Sequence, residues 1–273
     1  MFSKKIALLL VVAVFMGLIA ACGAQPTPET VTVVQTVVVE KEVQGETKTV
    51  VETVEVVKEV EVVKEVAPTD PDADRVRLDT VIGTEPPTID PALGTDTTSI
   101  FMIRQMFVGL TGFDSNANVV PELATEWSSS EDGLTWTFKM RDDVQWVNRD
   151  PNTGEFKAIR PVTAQDVVYG VKRTLNPNTA SDYAYVLYVI DGAEAFNTAD
   201  PNAEDFAAIE EAVGVKAIDD TTVEFKLAVP AAYFPSIAAM WVTYPQPQEA
   251  IDQWGTNWTE AGLIVTNGPY TLR

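Results

Sequence analysis

The stretch 121–146 constrains the fold of this 273-residue chain more than any other part of it. Between positions 134 and 140 the sequence reads Leu-Thr-Trp-Thr-Phe-Lys-Met, so that large apolar residues alternate with polar ones. This period of two is typical of a strand with one buried face. The Asp132-Gly133 pair just before it readily adopts the positive φ angles of a tight turn. The pattern therefore predicts a β-hairpin that packs one face into a core.

Three tryptophans, Trp127, Trp136 and Trp146, fall in the same stretch. A second turn at 141–143 ends the strand before the alternation resumes at Val144. Because tryptophan side chains bury more area than most others, we predict that Trp136 and Phe138 are core residues.

Composition excludes several classes of function. The chain has a net charge of −21, with acidic residues spread along it, whereas nucleic-acid binding needs a basic patch. It has one cysteine and no histidine, so no disulfide can form within the chain and any metal site would have oxygen ligands alone. The sequence therefore predicts no cofactor, no bound metal and no nucleic-acid partner.

Catalytic motifs are also missing from the sequence. It contains no His-Glu-x-x-His, Gly-x-Ser-x-Gly, Gly-x-x-x-x-Gly-Lys or Gly-x-Gly-x-x-Gly. Paired carboxylates at 131–132, 142–143 and 219–220 all fall in predicted turns. A glycosidase needs two carboxylates that face each other across a cleft, which neighbours in a turn do not show. We predict that the chain is not an enzyme, with a secreted hydrolase as the weaker alternative.

The N-terminus has the features of a secreted lipoprotein. Lys4 and Lys5 precede an apolar run at 6–21, which is shorter than the ~20 residues that a membrane-spanning helix needs but suits a signal peptide. Small residues lead into Cys22, and this ending resembles a bacterial lipobox. We predict a signal peptide at 1–21 and a lipid on Cys22 that anchors the chain to the membrane. The alternative is an ordinary signal peptide followed by an incidental cysteine.

Residues 22–67 are rich in valine, glutamate and lysine. They include the hexamer Glu-Val-Val-Lys-Glu-Val twice in tandem, at 55–60 and 61–66. This period does not match a coiled coil, and two copies are too few for a β-solenoid. The valines at 31–39 favour extended chain, whereas the alternating charges at 52–66 are compatible with a helix. Both conformations stay open, and we predict a stalk, with self-association through the valines as the alternative.

The globular part begins after a linker rich in proline and aspartate at 68–74. Its apolar positions predict a strand at 75–83, and three prolines within 84–91 exclude regular structure there. Apolar residues with spacings of three and four predict a helix from about 98 to 108. Beyond the hairpin, residues 148–160 form a polar segment, to which we assign no binding or catalytic role.

Thr97, Thr98 and Ser99 are candidate caps for the start of this helix. Helix N-termini present unpaired backbone amides that can hold an anionic or carbonyl group, so these three residues are candidate ligand contacts. Tyr183 and Tyr185 are candidates as well, because neighbouring tyrosines can stack on a peptide or a sugar. For both groups the alternative is structural, namely simple capping for the first and a partly wet packing surface for the second.

The rest of the globular part combines helices and strands. Thr163-Ala-Gln-Asp166 resembles a capping box with aspartate in place of glutamate, which predicts a helix that ends at Asn176. Strands are predicted at 213–218 and 221–227, and short helices at 234–241 and 247–254.

Several short motifs carry a resemblance to a known family. They are Glu-Pro-Pro-Thr-Ile-Asp-Pro at 85–91, Pro-Glu-Leu-Ala at 121–124, Asp-Gly-Leu-Thr-Trp-Thr-Phe at 132–138, Arg-Asp-Asp-Val at 141–144, Thr-Ala-Gln-Asp-Val-Val at 163–168, Gly-Val-Lys-Ala-Ile-Asp-Asp-Thr-Thr-Val-Glu-Phe-Lys-Leu at 214–227 and Asn-Gly-Pro-Tyr at 267–270. With these motifs, residues 76–273 resemble family 5 of the extracellular solute-binding proteins, the peptide- and nickel-type receptors of ABC importers.

The resemblance implies an α/β fold, periplasmic-binding-protein-like of type II, but incomplete. Residues 68–273 would form a partial solute-binding domain, with lobe I at about 76–112 and 213–273. An inserted subdomain would occupy about 113–212, and the second lobe would be missing, since the sequence stops in the middle of the family's pattern.

The same resemblance implies a monomeric substrate-binding receptor of an ABC importer, held outside the cytoplasm by its lipid anchor. It would capture a peptide or similar small solute between two hinged lobes and deliver it to permease subunits in the membrane. The 13 basic and 31 acidic residues of 68–273 favour cationic over anionic ligands. A stalked surface lipoprotein with a structural or adhesive role is the alternative, and binding that persists without the globular body would favour it.

Overall fold

The computed structural model describes residues 80–272, together with the backbone of four short strands in the N-terminal tract. The chain divides into two compact units, Met1–Val76 and Arg77–Arg273, and each is described by itself. The predicted signal peptide, Cys22 and the linker at 68–74 lie outside the described residues.

Strand pairing defines the described part of the first unit. β1 (Glu29–Gln35) pairs antiparallel with β4 (Val56–Val62), and β2 (Lys41–Val43) pairs antiparallel with β3 (Glu46–Lys48). Because β4 is extended, the helical alternative for the tract around it is wrong over the seven residues of this strand. The role of the tract as a stalk stays a prediction.

Helices and strands are interspersed along the described part of the second unit. In chain order they are α1 (Thr97–Met106), β5 (Thr111–Phe113), β6 (Val119–Pro121), β7 (Ala124–Ser129), β8 (Thr135–Met140), β9 (Gln145–Arg149), β10 (Phe156–Pro161), α2 (Ala164–Leu175), α3 (Ala193–Asn197), α4 (Phe206–Glu211), β11 (Val215–Asp219), β12 (Thr222–Lys226), α5 (Phe234–Ile237), α6 (Gln248–Trp254) and β13 (Val265–Thr266). Short 3-10 helices lie at Ala184–Val189, Trp241–Thr243 and Gly255–Asn257.

The central sheet has the strand order β11-β12-β8-β7, with antiparallel neighbours. The predicted hairpin is confirmed, since β7 and β8 flank a turn in which Gly133 has a φ of +69°. On the buried face of β8, Phe138 lies 5.8 Å from Phe225 and 6.1 Å from Phe234 between ring centroids. Alternate residues of a strand share one face, and the apolar alternation of β8 therefore builds the centre of the core.

A second sheet has the order β10-β9-β13. In this sheet, the polar segment at 148–160 contributes to the hairpin of β9 and β10. The Asp150 carboxylate accepts the backbone N–H of Asn152 at 2.7 Å in the turn, and Gly154 supplies a φ of +74° that favours glycine. Trp146 on β9 is fully buried and donates its indole N–H to Asp166 at 3.0 Å. This hydrogen bond ties the second sheet to α2.

The start of α2 confirms the predicted capping box. The carboxylate of Asp166 accepts the backbone N–H of Thr163 at 2.8 Å, which is the reciprocal contact of such a box. Val171 and Leu175 lie on the fully buried face of the helix, and Asn176 caps its C-terminus as predicted.

Two predicted elements differ in the structure. Residues 80–83 have no regular structure and Val81 is 93 % exposed, so the predicted strand is wrong there, because no strand of the described part pairs with this segment. Its other residues, 75–79, lie outside the described range. The helix predicted at 234–241 ends early, since only α5 is an α-helix and a 3-10 turn follows. The proline-rich segment at 84–91 lacks regular structure, as predicted.

Strands from both sides of position 212 share the central sheet, because β7 and β8 precede this position whereas β11 and β12 follow it. One cluster of buried apolar residues extends from Ile89 to Val265. The predicted boundary between an inserted subdomain and lobe I therefore does not coincide with a break in this sheet or in the core. The division itself stays a prediction.

Candidate functional site

The start of α1 is capped by Asp96 and not by the residues predicted for this role. Asp96 Oδ1 accepts the backbone N–H groups of Thr98 at 2.9 Å and Ser99 at 3.0 Å. Hydrogen bonds from the Ser99 side chain and then from these amides lower the pKa of the Asp96 carboxyl. The prediction of Thr97, Thr98 or Ser99 as the cap is wrong, because the residue just before the first turn is the one whose side chain reaches the free amides.

The hydroxyl groups at the start of α1 hold the preceding segment against the helix. Ser99 is fully buried, and its Oγ accepts the backbone N–H of Thr88 at 3.4 Å. The hydroxyl of Thr98 lies 3.2 Å from that of Thr84, and Thr97 is exposed. Of the three predicted ligand contacts, Thr97 and Thr98 therefore reach the surface, whereas the side chain of Ser99 is buried and hydrogen-bonded within the protein.

Three aromatic rings form a row near this segment, and we call Tyr185, Tyr183 and Trp241 the aromatic row. The ring centroid of Tyr183 lies 5.9 Å from that of Tyr185 and 5.2 Å from that of Trp241. Tyr185 is 59 % exposed, whereas the other two side chains are half-buried. The row thus presents one solvent-facing ring that is supported by two others.

Trp241 connects the aromatic row to the segment before α1. Its indole N–H donates to the carbonyl of Gly94 at 2.8 Å, and Gly94 lies three residues before Thr97. A Cβ at Gly94 would lie 2.6 Å from Cδ1 of Ile103, so another residue there would have to displace this buried side chain. The hydrogen bond to Trp241 therefore places the aromatic row beside the segment that leads into α1, although the two lie far apart in the sequence.

A buried ion pair fixes the position of the segment that carries Gly94. Arg173 donates two hydrogen bonds to the carboxylate of Asp90, at 2.8 and 2.7 Å, and the two side chains are 15 % and 6 % exposed. Trp258 donates its indole N–H to the same carboxylate at 2.9 Å, and Gln246 accepts a hydrogen bond from Arg173 at 2.7 Å. With these partners the pair has the hydrogen bonds that make a buried charge tolerable.

Sequence reasoning missed Trp241, Arg173 and Trp258. The one usable signal was Asp90, which lies in the Ile-Asp-Pro motif between an apolar residue and a proline, because a carboxylate that is buried there needs a partner. Nothing in the sequence identifies which arginine supplies that partner.

The site offers an aromatic face and hydroxyl groups, so it can bind a ligand by stacking and hydrogen bonding. Among residues 80–272, no group of three histidine, cysteine, aspartate or glutamate side chains is placed to hold a metal ion. Within the same described range, no helix is both long enough and apolar enough to cross a membrane.

Comparison with known proteins identifies the family. Residues 118–273, more than half of the chain, match the profile of the bacterial extracellular solute-binding proteins, family 5 (middle region). The chain belongs to this family. Its α/β fold is accordingly part of the fold of the type II periplasmic binding proteins, and the family consists of solute-binding proteins rather than enzymes.

Individual family 5 relatives are much longer than this chain. The oligopeptide-binding protein OppA of Bacillus subtilis is 38 % identical over 200 residues, which are 72 % of this chain and 33 % of that protein. The substrate-binding domain of an oligopeptide ABC transporter from Bacillus anthracis is 33 % identical with a TM-score of 0.59, over 69 % of this chain and 33 % of that one. Haemophilus influenzae OppA in complex with the peptide RPPGFSPFR is 28 % identical with a TM-score of 0.59, over 70 % and 34 %. The chain therefore spans about a third of the length of these relatives.

Proposed function

We propose that this chain carries part of a monomeric peptide receptor of an ABC importer. The receptor captures a peptide or a similar small solute outside the cytoplasm and delivers it to permease subunits in the membrane, with no chemistry of its own. Family membership supports this role, as do the oligopeptide-binding relatives from Bacillus subtilis and Haemophilus influenzae. The observation that carries the proposal is the aromatic row, which presents an exposed ring and is hydrogen-bonded through Trp241 to the segment that leads into α1.

The proposed ligand contacts lie on the exposed part of this region. Tyr185 and Tyr183 stack on a side chain of the peptide, and the hydroxyl groups of Thr97 and Thr98 hydrogen-bond its backbone. Ser99 supports the site from within, because it is fully buried.

Tryptophan fluorescence tests the proposal, since Trp241 belongs to the aromatic row. The full chain is titrated with RPPGFSPFR and with pools of short peptides, and a saturable change in emission is expected. Tyr185→Ala should weaken the affinity about 2- to 12-fold, because a stacked aromatic pair contributes about 0.5–1.5 kcal/mol.

Tyr270→Ala is the matched control, because Tyr270 is similarly exposed at 51 % and is not part of the aromatic row. It should leave the peptide affinity unchanged. An affinity of Tyr185→Ala equal to that of the wild type would refute the proposed contact. If no peptide gave a saturable response, peptide binding by this chain would be refuted.

We further propose that a lipid on Cys22 retains the receptor at the outer face of the membrane. The apolar run and the small residues before this cysteine support the assignment. Metabolic labelling with palmitate should mark the wild-type chain and not Cys22→Ser, and the variant should leave the membrane fraction. A variant that stays labelled or membrane-bound would contradict the anchor.

A further inference from the structure

An open pocket with apolar walls is lined by none of the residues of the proposed peptide site. Its volume is about 300 Å³, at the lower end of the range for small-molecule sites. We call it the Glu122 pocket. Its apolar walls come from Val108, Leu123, Val144 and Pro269, and its other lining residues are Glu122, Arg141, Asn267 and Gly268.

Two of the three polar side chains that line the pocket are already committed to other partners. Arg141 donates to the two carboxylate oxygens of Asp143 at 2.5 and 2.6 Å. The carboxamide of Asn267 accepts from the backbone N–H of Val108 at 3.2 Å and donates to its carbonyl at 3.1 Å. Glu122 is therefore the polar side chain of the pocket that is left to meet a ligand.

The carboxylate of Glu122 is poorly solvated. It packs over Gly112, where any side chain would collide with it. Its Oε2 is shielded from solvent and has no hydrogen-bond partner among residues 80–272. Burial raises the pKa of this carboxyl, against smaller lowering effects of the Gly109 amide and of Arg104. Loss of water around the carboxylate therefore outweighs the attractions that the fold supplies.

A shielded carboxylate oxygen without a donor is unfavourable, and a cationic N–H group is the partner that relieves it most effectively. Glu122 lines the pocket, and the torsions of a glutamate side chain are soft, so its carboxylate can reorient toward a ligand that enters the pocket. We propose that the Glu122 pocket binds a primary alkylammonium group, with the ammonium on Glu122 and the alkyl stem against Val108, Leu123 and Val144. The excess of acidic over basic residues in the chain also favours a cationic ligand.

Nuclear magnetic resonance of the full chain provides the test. The protein is titrated with n-butylammonium chloride, and the amide chemical shifts of Val108, Leu123 and Gly268 are followed. We expect saturable shifts, at least 10-fold weaker binding of n-butanol, which has the stem without the charge, and no binding of butyrate. Equal affinity for n-butylammonium and n-butanol overturns the proposal, as does the lack of saturable shifts. Neither outcome depends on the folding of a variant.

Two variants and a second probe complete the experiment. Glu122→Gln should weaken n-butylammonium binding at least 10-fold, whereas Glu131→Gln, which removes the same charge from an exposed turn, should not change it. Equal affinities of Glu122→Gln and the wild type overturn the proposal. Nα-acetyl-lysine N-methylamide, a mimic of a lysine residue within a chain, identifies the source of the ammonium group. If it binds, the pocket also accepts lysine side chains of a partner protein; if it does not bind, the pocket accepts only free amines. The proposed peptide site is tested separately, since it does not involve Glu122.

Discussion

At the scale of single residues, the buried pair of Asp90 and Arg173 fixes the segment that leads into α1. Asp90→Ala leaves the Arg173 guanidinium buried without its carboxylate and also removes the acceptor of the Trp258 indole. Removing one partner of a buried ion pair costs about 3–5 kcal/mol, and we expect a loss of this size in the free energy of unfolding. Urea denaturation followed by tryptophan fluorescence measures it.

The exposed pair of Lys226 and Asp191 is the matched control for this prediction. Its nitrogen–oxygen distance is 2.7 Å, the same as in the buried pair, but its side chains are 65 % and 43 % exposed. Because solvent screens such a pair, Asp191→Ala should cost less than about 1 kcal/mol. Similar losses of unfolding free energy in the two alanine variants would show that burial of the ion pair does not determine the cost of removing its carboxylate.

Tyr244 gives the protein a pH dependence of stability. Burial, with a smaller contribution from the Glu122 carboxylate, raises the pKa of the Tyr244 phenol to about 12. An unfolded tyrosine ionises near pH 10, so between about pH 10 and 12 the unfolded state releases a proton that the folded state retains. Stability should therefore be unaffected below pH 10 and should fall by about 2–3 kcal/mol from this residue as the pH rises to 12.

Tyr244→Phe isolates this contribution, because phenylalanine does not ionise while the other tyrosines and lysines titrate as before. Urea denaturation at pH 9 and at about pH 12 should show a smaller loss of stability in the variant than in the wild type. Equal losses in the two proteins would exclude Tyr244 as the source.

At the scale of secondary structure, mutations at the start of α1 distinguish Asp96 from Thr97 as the capping residue. Asp96→Ala removes the acceptor of the Thr98 and Ser99 amides, and loss of such a cap costs about 1 kcal/mol. Asp96→Asn should retain most of the stability, since a carboxamide oxygen accepts the same hydrogen bonds. Thr97→Ala is the control and should be nearly neutral in thermal unfolding. A loss in Thr97→Ala as large as in Asp96→Ala would restore the cap predicted from the sequence.

The elements that the sequence predicted correctly are those with local signals. The Asp132-Gly133 turn and the capping box of Thr163 and Asp166 act over a few residues, and both are confirmed. The capping residue of α1 was predicted wrongly, because Asp96 is followed directly by three hydroxyl residues that can also cap a helix. Propensity alone does not distinguish between them.

Contacts between distant parts of the chain were not predictable in the same way. A strand needs a partner as well as an apolar pattern, and residues 80–83 have none in the described part of the structure. Two contacts that form the candidate site, Trp241 with Gly94 and Asp90 with Arg173, join positions far apart in the sequence. The sequence therefore named the two tyrosines of the aromatic row but neither the ring behind them nor the ion pair that positions the neighbouring segment.

At the scale of the whole molecule, the central sheet joins strands from both sides of position 212. β8 pairs with β7 on one side and with β12 on the other, and Phe138 of β8 contacts Phe225 of β12. Because the core is continuous through this sheet, unfolding of either half removes the partners of the other. We expect residues 80–272 to unfold in one cooperative step, although the predicted domain division cuts this sheet.

Native-state hydrogen exchange with Phe225→Ala measures this coupling. Truncation of a fully buried phenylalanine costs about 3–5 kcal/mol, and in a single cooperative unit the loss must appear in the protection of every strand of the sheet. The amides of β7 and β11 should therefore lose the same free energy of opening, although Phe225 lies on neither strand. Surface variants such as Glu131→Gln should change neither. If the loss were confined to β11 and β12 while β7 kept its protection, the sheet would not unfold as one cooperative unit, and the predicted subdomain at about 113–212 would be favoured as a separate unit.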